Sequence, residues 1–242
     1  MVKDGPAERR KFIDNALCQL KFNYRNVLKE YNRALLQRNM LLKDIAKNNS
    51  LTDMLYIWDR NLAASGAKII YQRNRYIETL LPYAEDVFSG LSGGKENIDL
   101  ILNGAFDYKN LTVNEIENQL IFVFEKNRGS DFMNRITTVG PHRDDMEILI
   151  NGKSARTYGS QGQQRSCVLA LKLAEASLLK EMTQDEPLAL LDDVMSELDI
   201  SRQDYILNHI KDWQVFITCC DANTVLRLKH GKTFHIENGG LI

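Results

Sequence analysis

The stretch L-A-L-L-D-D-V-M-S-E-L-D, residues 188–199, carries the reading of the chain. A short apolar run, Leu188 to Leu191, ends in two carboxylates, Asp192 and Asp193. Apolar strands without alternation belong to parallel sheets covered on both faces, and the carboxyl edge of such a sheet is where α/β proteins bind ligands. Two acids at that edge can divide labour, one on a magnesium shell and the other polarising a water. The plainer alternative is an Asp that caps the next helix beside a solvated neighbour.

Upstream, Y-G-S-Q-G-Q-Q-R-S (158–166) directly precedes the helical pattern C-V-L-A-L-K-L-A-E-A-S-L-L-K. Small and amide residues at a helix start leave N–H groups unpaired, and the helix dipole adds positive potential, so an anion is welcome there. Ser160 offers a hydroxyl, Gln163 an amide, and Gly162 room for close approach. An ordinary Ser N-cap on a buried helix explains the same residues.

Periodicity places the rest. Phe12, Ile13, Leu17, Leu20, Tyr24, Val27, Leu28, Tyr31, Leu35 and Leu36 recur at steps of three and four, predicting one long helix over 7–47. K-N-N-S turns the chain, with Ser50 or Thr52 available as N-cap, and a second helix runs from about Asp53 to Leu80 until Pro82 ends it. Together they make an antiparallel hairpin reaching about 40–60 Å. Residues 96–104 alternate like a strand and end in Asn-Gly; 112–127 read as a helix, though Q-L-I-F-V-F suits a strand equally; 145–153 read as strand plus Asn-Gly turn. Helices over 161–182 and 201–212 then separate apolar strands at 187–191 and 214–220, which predicts an α/β end to a chain that begins helical. The expected domains are a helical arm with a mixed region, 1–135, and an α/β lobe, 136–242.

Of the 242 residues, 44% are hydrophobic and 26% charged, enough for a real core. Net charge is −1, but residues 1–80 hold 15 Lys/Arg against 8 Asp/Glu and the remainder 16 against 24: a basic arm on an acidic body. No run of about 18 apolar residues suits a bilayer span, and the N-terminus lacks the apolar stretch of a secretory signal. Cys18, Cys167, Cys219 and Cys220 form no C-x-x-C pair and suit a reduced, cytoplasmic protein, with Cys219 and Cys220 expected as buried strand residues. The cations at 9, 10, 11, 21, 25, 29, 33, 38, 43 and 47 are either a DNA-facing row, with Arg25, Lys29 and Arg33 as its centre, or a solvated helix face. Pro141-His142-Arg143-Asp144-Asp145 reads as a buried charge network between arm and lobe rather than as a metal site.

S-x-G-Q at a helix start, followed by a strand ending in paired acids and S-E-L-D, resembles the ABC/SMC-type P-loop ATPase head, and more closely the RecF family. G-P-A-E-R-R-K-F-I-D (5–14), Y-N-R-A-L-L-Q-R-N (31–39), V-G-P-H-R-D-D (139–145), S-Q-G-Q-Q-R (160–165) and L-L-D-D-V-M-S-E-L-D (190–199) carry that resemblance along almost the whole chain, in order. The resemblance implies ATP and Mg2+ as cofactors, with Asp192 orienting magnesium through water and Asp193 as general base. It makes Ser160, Gln161, Gly162 and Gln163 the signature motif, touching the γ-phosphate held by the opposite subunit. Ser196, Glu197, Leu198 and Asp199 become the D-loop, and Thr218 lies where the switch strand ends, followed here by Cys219, Cys220 and Asp221. It further implies a slow DNA-dependent ATPase that dimerises head to head on single-/double-strand junctions or gapped DNA, acts in recombinational repair and replication-fork maintenance, and partners RecR, RecO and RecA.

A P-loop, G-x-x-x-x-G-K-[ST], is missing. Gly152-Lys153-Ser154 has Glu147 in place of the first Gly, Gly231-Lys232-Thr233 has Leu226, and Gly94-Lys95 is followed by Glu96. Leu91-Ser92-Gly93-Gly94 spells most of a signature motif but leads into a strand. In the resembled family the P-loop precedes G-P-A-E-R-R, so the chain reads as a piece lacking that lobe, with Met1 an artificial or misassigned start, and on its own it is expected to be inactive. The rival is a non-catalytic DNA-binding or protein-docking module.

Overall fold

A computed structural model of the chain describes residues 1–220, 231–237 and 239–241; the side chains of Glu197 and Leu241 lie outside the description, as do Asp221 and His230. Helix α1, Pro6–Leu20, starts where a proline costs no hydrogen bond. It stops because Lys21 turns extended, and α2 begins at Tyr24 and runs to Ile45. The single helix expected over 7–47 is therefore two. The apolar spacing hides the break, since Leu17, Leu20, Tyr24 and Val27 stay in step across it.

After a 3-10 segment, Asn49–Met54, helix α3 runs from Leu55 to Ser92. Neither Ser50 nor Thr52 caps α3; Asn48 caps the 3-10 segment, accepting from the Ser50 N–H at 3.1 Å. Pro82 does not end α3 but sits inside it. A proline mid-helix costs roughly 3 kcal/mol. Here both Pro82 and Glu78, whose carbonyl loses its partner, are exposed to water, while Leu80, Ala84, Val87, Phe88 and Leu91 continue the buried stripe. Burying several such side chains at about 1.5–3 kcal/mol each outweighs the proline. The helix ends instead at Gly93, left-handed at φ 65°, with the Gly94 N–H returning to the Ser89 carbonyl at 2.8 Å. Leu91-Ser92-Gly93-Gly94 is thus a helix stop.

Around α3 pack α1, α2, and α4 (Val113–Lys126), which opens with a capping box between Thr112 and Glu115. Helix α5 spans Arg128–Asn134. At Gly66 an added Cβ would stand 3.2 Å from both Leu120 and Tyr31, so a small residue lets α2 and α4 approach α3 together. Strand β1 (Ile98–Asn103) pairs antiparallel with β2 (Asp145–Ile150), and β2 with β3 (Lys153–Ser154) through the Asn151-Gly152 turn. The Asn103-Gly104 pair is not a hairpin turn: Gly104 makes room for the buried Tyr108, whose hydroxyl would stand 1.9 Å from an added Cβ.

Short α6, Ala155–Tyr158, leads into α7, Gln161–Thr183, which lies along α3. Strand β4 (Leu188–Asp192) and β5 (Gln214–Thr218), joined through α8 (Ile200–His209), pair parallel in the register Leu188↔Gln214 to Asp192↔Thr218. A small hairpin, β6 (Ile236–Glu237) with β7 (Gly240–Leu241), follows. The β4–β5 sheet is not covered on both faces as expected. Leu191 is buried, but Leu188, Leu190 and Phe216 are 57%, 71% and 54% exposed on the other side. Cys219 and Cys220 fall after β5, half-buried and exposed respectively.

Ion pairs tie the N-terminal helices to the segment 131–145. Arg9 forks onto Asp145 at 2.6 and 2.8 Å, Arg73 forks onto Asp14 and donates to the Pro141 carbonyl at 2.6 Å, and Arg38 bridges Asp59 and Asp131, each at 2.7 Å. The expected network is present, but its cations are Arg9, Arg10, Arg38 and Arg73; Arg143 is exposed. No group of three or more His, Cys, Asp or Glu suited to a metal occurs among the described residues, nor any helix long and apolar enough to cross a membrane.

Candidate nucleotide-binding edge

The β4–β5 register sets Asp192 opposite Thr218 at the carboxyl edge of the sheet. The Thr218 hydroxyl donates to Asp192 Oδ1 at 2.5 Å, while Oδ2 takes no hydrogen bond among the described residues. The chain then turns sharply. Asp193 adopts φ 50°, a left-handed geometry uncommon for a residue with a side chain, and its N–H donates to Thr218 Oγ1 at 3.0 Å and to the Thr218 carbonyl at 3.2 Å. Thr218 thus holds both acids through one hydroxyl. The Asp193 carboxylate is exposed and has no partner among the described residues. A strained backbone that presents an unengaged carboxylate is the kind of feature that accompanies a functional edge.

The loop after Asp193 is tied down. Ser196 Oγ donates to the Asp193 carbonyl at 2.9 Å, Met195 is fully buried, and Asp199 caps α8 by accepting from the Arg202 N–H at 3.1 Å. Gln203 Nε2 reaches back to the carbonyls of Met195 and Leu198, at 2.7 and 3.0 Å. Leu198 is half-buried; the side chain of Glu197 lies outside the described residues.

Ser160 caps α7 in a reciprocal box: its Oγ accepts from the Gln163 N–H at 3.2 Å, and Gln163 Oε1 accepts from the Ser160 N–H at 2.7 Å. Gln163 Nε2 donates to Glu96 at 2.5 Å, so this amide is engaged within the chain. The N–H groups of Gln161 and Gly162 have no acceptor among the described residues, and Gln161 is exposed. An added Cβ at Gly162 would meet only Arg202, at 3.6 Å, so the glycine is not demanded by internal packing.

The acids and the α7 cap do not touch each other. Arg202 stands between their elements: it lies beside Gly162, donates from Nε to the Leu91 carbonyl at 3.2 Å, and pairs with Asp199 at 3.5 Å. Sequence reading missed Arg202, Gln203 and Glu96, because nothing in their spacing marks them as partners of loops so far away in the chain. The donor set at the edge, two exposed carboxylates and a hydroxyl, is hard oxygen. It fits Mg2+, which is bound by one or two carboxylates together with phosphate oxygens rather than by a closed protein cage.

Arg25, Lys29 and Arg33 are exposed on α2, four residues apart. Arg9 and Arg38, expected in the same row, are 4% and 0% exposed inside ion pairs and cannot reach a ligand.

A parallel strand pair ending in paired acids, a capped helix start and a helical arm give the chain the fold of an ABC/SMC-type ATPase head with its arm. Comparison with known proteins names the branch. The chain is 39% identical over 246 residues to the DNA replication and repair protein RecF of Acetivibrio thermocellus, covering 97% of this chain and 67% of that protein. It is 46% identical over 220 residues to RecF of Ruminiclostridium cellulolyticum, covering 90% of this chain and 59% of the relative. Solved structures of the recombination mediator protein RecF of the RecFOR pathway, with ATP and with ATPrS, superpose with TM-scores of 0.88 and 0.87 at 38% identity, covering 64% of those chains. No family model matches. The chain belongs to the RecF family, and it spans roughly three fifths to two thirds of the length of the relatives it matches.

Proposed function

We propose that this chain supplies one half of a composite ATPase site, and a DNA-facing arm, to a DNA repair and replication protein. The observation that carries the reading is the edge where Thr218 holds Asp192 and Asp193 at the end of a parallel strand pair. Asp192, already hydrogen-bonded through one oxygen, is suited to holding a magnesium water with the other. Asp193, unengaged and exposed, is suited to accepting the proton of an attacking water. Bound Mg2+ would supply charge neutralisation for the phosphates. Ser160 Oγ and the N–H groups of Gln161 and Gly162 form the anion-facing start of α7, with Gln163 serving as its cap rather than as a phosphate contact. By family resemblance this group faces the nucleotide of a second subunit, so turnover depends on dimerisation and the γ-phosphate is surrounded only in the pair. The ATP-bound relatives support the nucleotide; DNA and the partners RecR, RecO and RecA rest on membership of the family.

The bare face of Leu188, Leu190 and Phe216 suits a lobe that carries the P-loop, since no G-x-x-x-x-G-K-[ST] occurs in the 242 residues. Calorimetric titration with Mg2+ and ATP should give no heat with this chain alone and binding once such a lobe is supplied. Tight binding by the chain alone would overturn the half-site. In the reconstituted protein Asp193→Asn should abolish turnover while leaving ATP binding, a loss of about 10²–10⁴-fold for a general base. Unchanged turnover would leave a non-catalytic DNA-binding or docking module as the better reading.

A further inference from the structure

Phe22, in the break between α1 and α2, is 100% exposed. The turn beneath it is well held. The Lys21 N–H donates to the Leu17 carbonyl at 2.9 Å and the Tyr24 N–H to the Lys21 carbonyl at 3.0 Å, which puts Phe22 at the corner of a hydrogen-bonded turn. The N–H groups of Asn26 and Val27 both return to the Asn23 carbonyl, at 3.1 and 3.2 Å, and start α2 directly behind it. Tyr24 is buried, with its hydroxyl on Asp14 at 2.7 Å, and Asp14 is clasped by Arg73 at 2.8 and 2.9 Å. The ring is displayed from an anchored corner.

The charge around it is nearly of one sign. Between residues 21 and 33 the exposed charged side chains are Lys21, Arg25, Lys29 and Arg33, against Glu30 alone. Steps of four residues advance about 6 Å along a helix, so Arg25, Lys29 and Arg33 form a row on one side of α2. An exposed aromatic ring at the head of a row of cations is the pairing that holds a single nucleic-acid strand, in which cations follow the phosphates and a base of any identity stacks on the ring. A blunt duplex satisfies the cations but offers the ring no unstacked base. An acidic peptide satisfies the cations and has no flat face to offer.

We propose that Phe22 is a base-stacking residue, taking one unpaired base of a strand whose phosphates lie along Lys21, Arg25, Lys29 and Arg33. This rests on the reading of the arm as the DNA-facing element and adds a side chain that favours unpaired over paired bases. The test is a titration at low salt of the 242-residue chain, Phe22→Ala and Phe22→Trp, against a short single-stranded oligonucleotide carrying 2-aminopurine and a blunt duplex of the same length. Phe22→Ala should weaken single-strand binding about 5- to 50-fold and lose the wild-type change in 2-aminopurine fluorescence. Duplex affinity should stay within about twofold, and Phe22→Trp should keep both single-strand properties. Phe22→Ala that binds the single strand like wild type, or that loses single strand and duplex equally, would overturn the stacking role while leaving the arm reading intact. Wild-type chain that binds neither DNA would overturn both. Because Phe22 is fully exposed, the variants should keep the wild-type unfolding midpoint, which confirms that affinity and not folding is being read.

Discussion

Asp144 and His142 lie two residues apart and respond oppositely to pH. Asp144 is buried; it accepts from the Tyr108 hydroxyl at 2.9 Å through one oxygen and leaves the other without a partner. Burial pushes its pKa up to about 7, against the pull of Tyr108, Arg73 and Arg10. His142 shares a hydrogen bond with Tyr31 at 2.7 Å, and burial pushes it down to about 4, with Arg143 and Arg10 adding to the depression while the Thr137 carbonyl and Asp131 oppose it. The raised acid contributes stability that is complete below its ordinary 3.8 and lost as pH climbs through about 7. The depressed histidine contributes stability that is complete above its ordinary 6.5 and lost as pH falls through about 4. Between pH 4 and 7 the two slopes oppose. Asp144→Asn removes the first, so relative to wild type the variant should gain stability as pH rises from 4 to 6.5, by at most ~3 kcal/mol. Urea midpoints across that range check it. Parallel curves for the two proteins would mean Asp144 is ionised in the fold.

Along α2, charge of one sign has two fates one or two turns apart. Arg38 is fully buried, donating to Asp59, Asp131 and Thr137, whereas Arg33 is exposed. Arg38→Ala removes the cation shared by two buried carboxylates, leaving Asp59 only Arg128 and Asp131 only the Thr138 N–H and hydroxyl, and should cost about 3–5 kcal/mol. Arg33→Ala should cost under about 0.5 kcal/mol. Chemical denaturation of the two variants separates these outcomes; similar costs would mean the Arg38 cluster is solvated. Composition could not sort these cations, because burial depends on which face of α2 meets α3 and α5. The break before α2 and the survival of α3 past Pro82 were hidden for related reasons. The apolar rhythm crosses both places unchanged, and only the extended turn at Lys21 and the hydrated site at Pro82 distinguish them. The capping box at Thr112 decides the helix that 112–127 left open, and the one at Ser160 fixes where α7 starts, since both are local devices of four residues.

The charge asymmetry between the first eighty residues and the rest survives folding only in part, because Arg9, Arg38 and Arg73 are spent on internal ion pairs. Among the cations that stay exposed, Arg25, Lys29 and Arg33 are the row proposed to face a polyanion. Reversing all three to Glu in the intact protein should weaken DNA binding and flatten the dependence of log affinity on log salt by about 2–3, the slope that three phosphate contacts contribute. Binding measured at several salt concentrations tests this, and an unchanged slope would move the DNA elsewhere. The same view of the molecule explains the bare sheet face. Leu188, Leu190 and Phe216 have the composition of covered strand residues, and a strand's apolar character reports that it is to be covered, not what covers it.

Local signals alone, read from the order of residues, determined the parallel strands, the helix over 161–182, the paired acids Asp192 and Asp193, the capped start at Ser160, and the absence of a P-loop. Strand hydrophobicity, capping chemistry and motif spacing all act within a few residues, so they are written in the chain itself. Folding alone decided that Thr218 ties both acids together, that Arg202 stands between the α7 cap and the loop after the acids, that Gln163 is held by Glu96, and which cations stay in water. Each of those depends on residues about 20 to more than 100 positions apart meeting in space, and side-chain type does not reveal who the partner is until the core has packed.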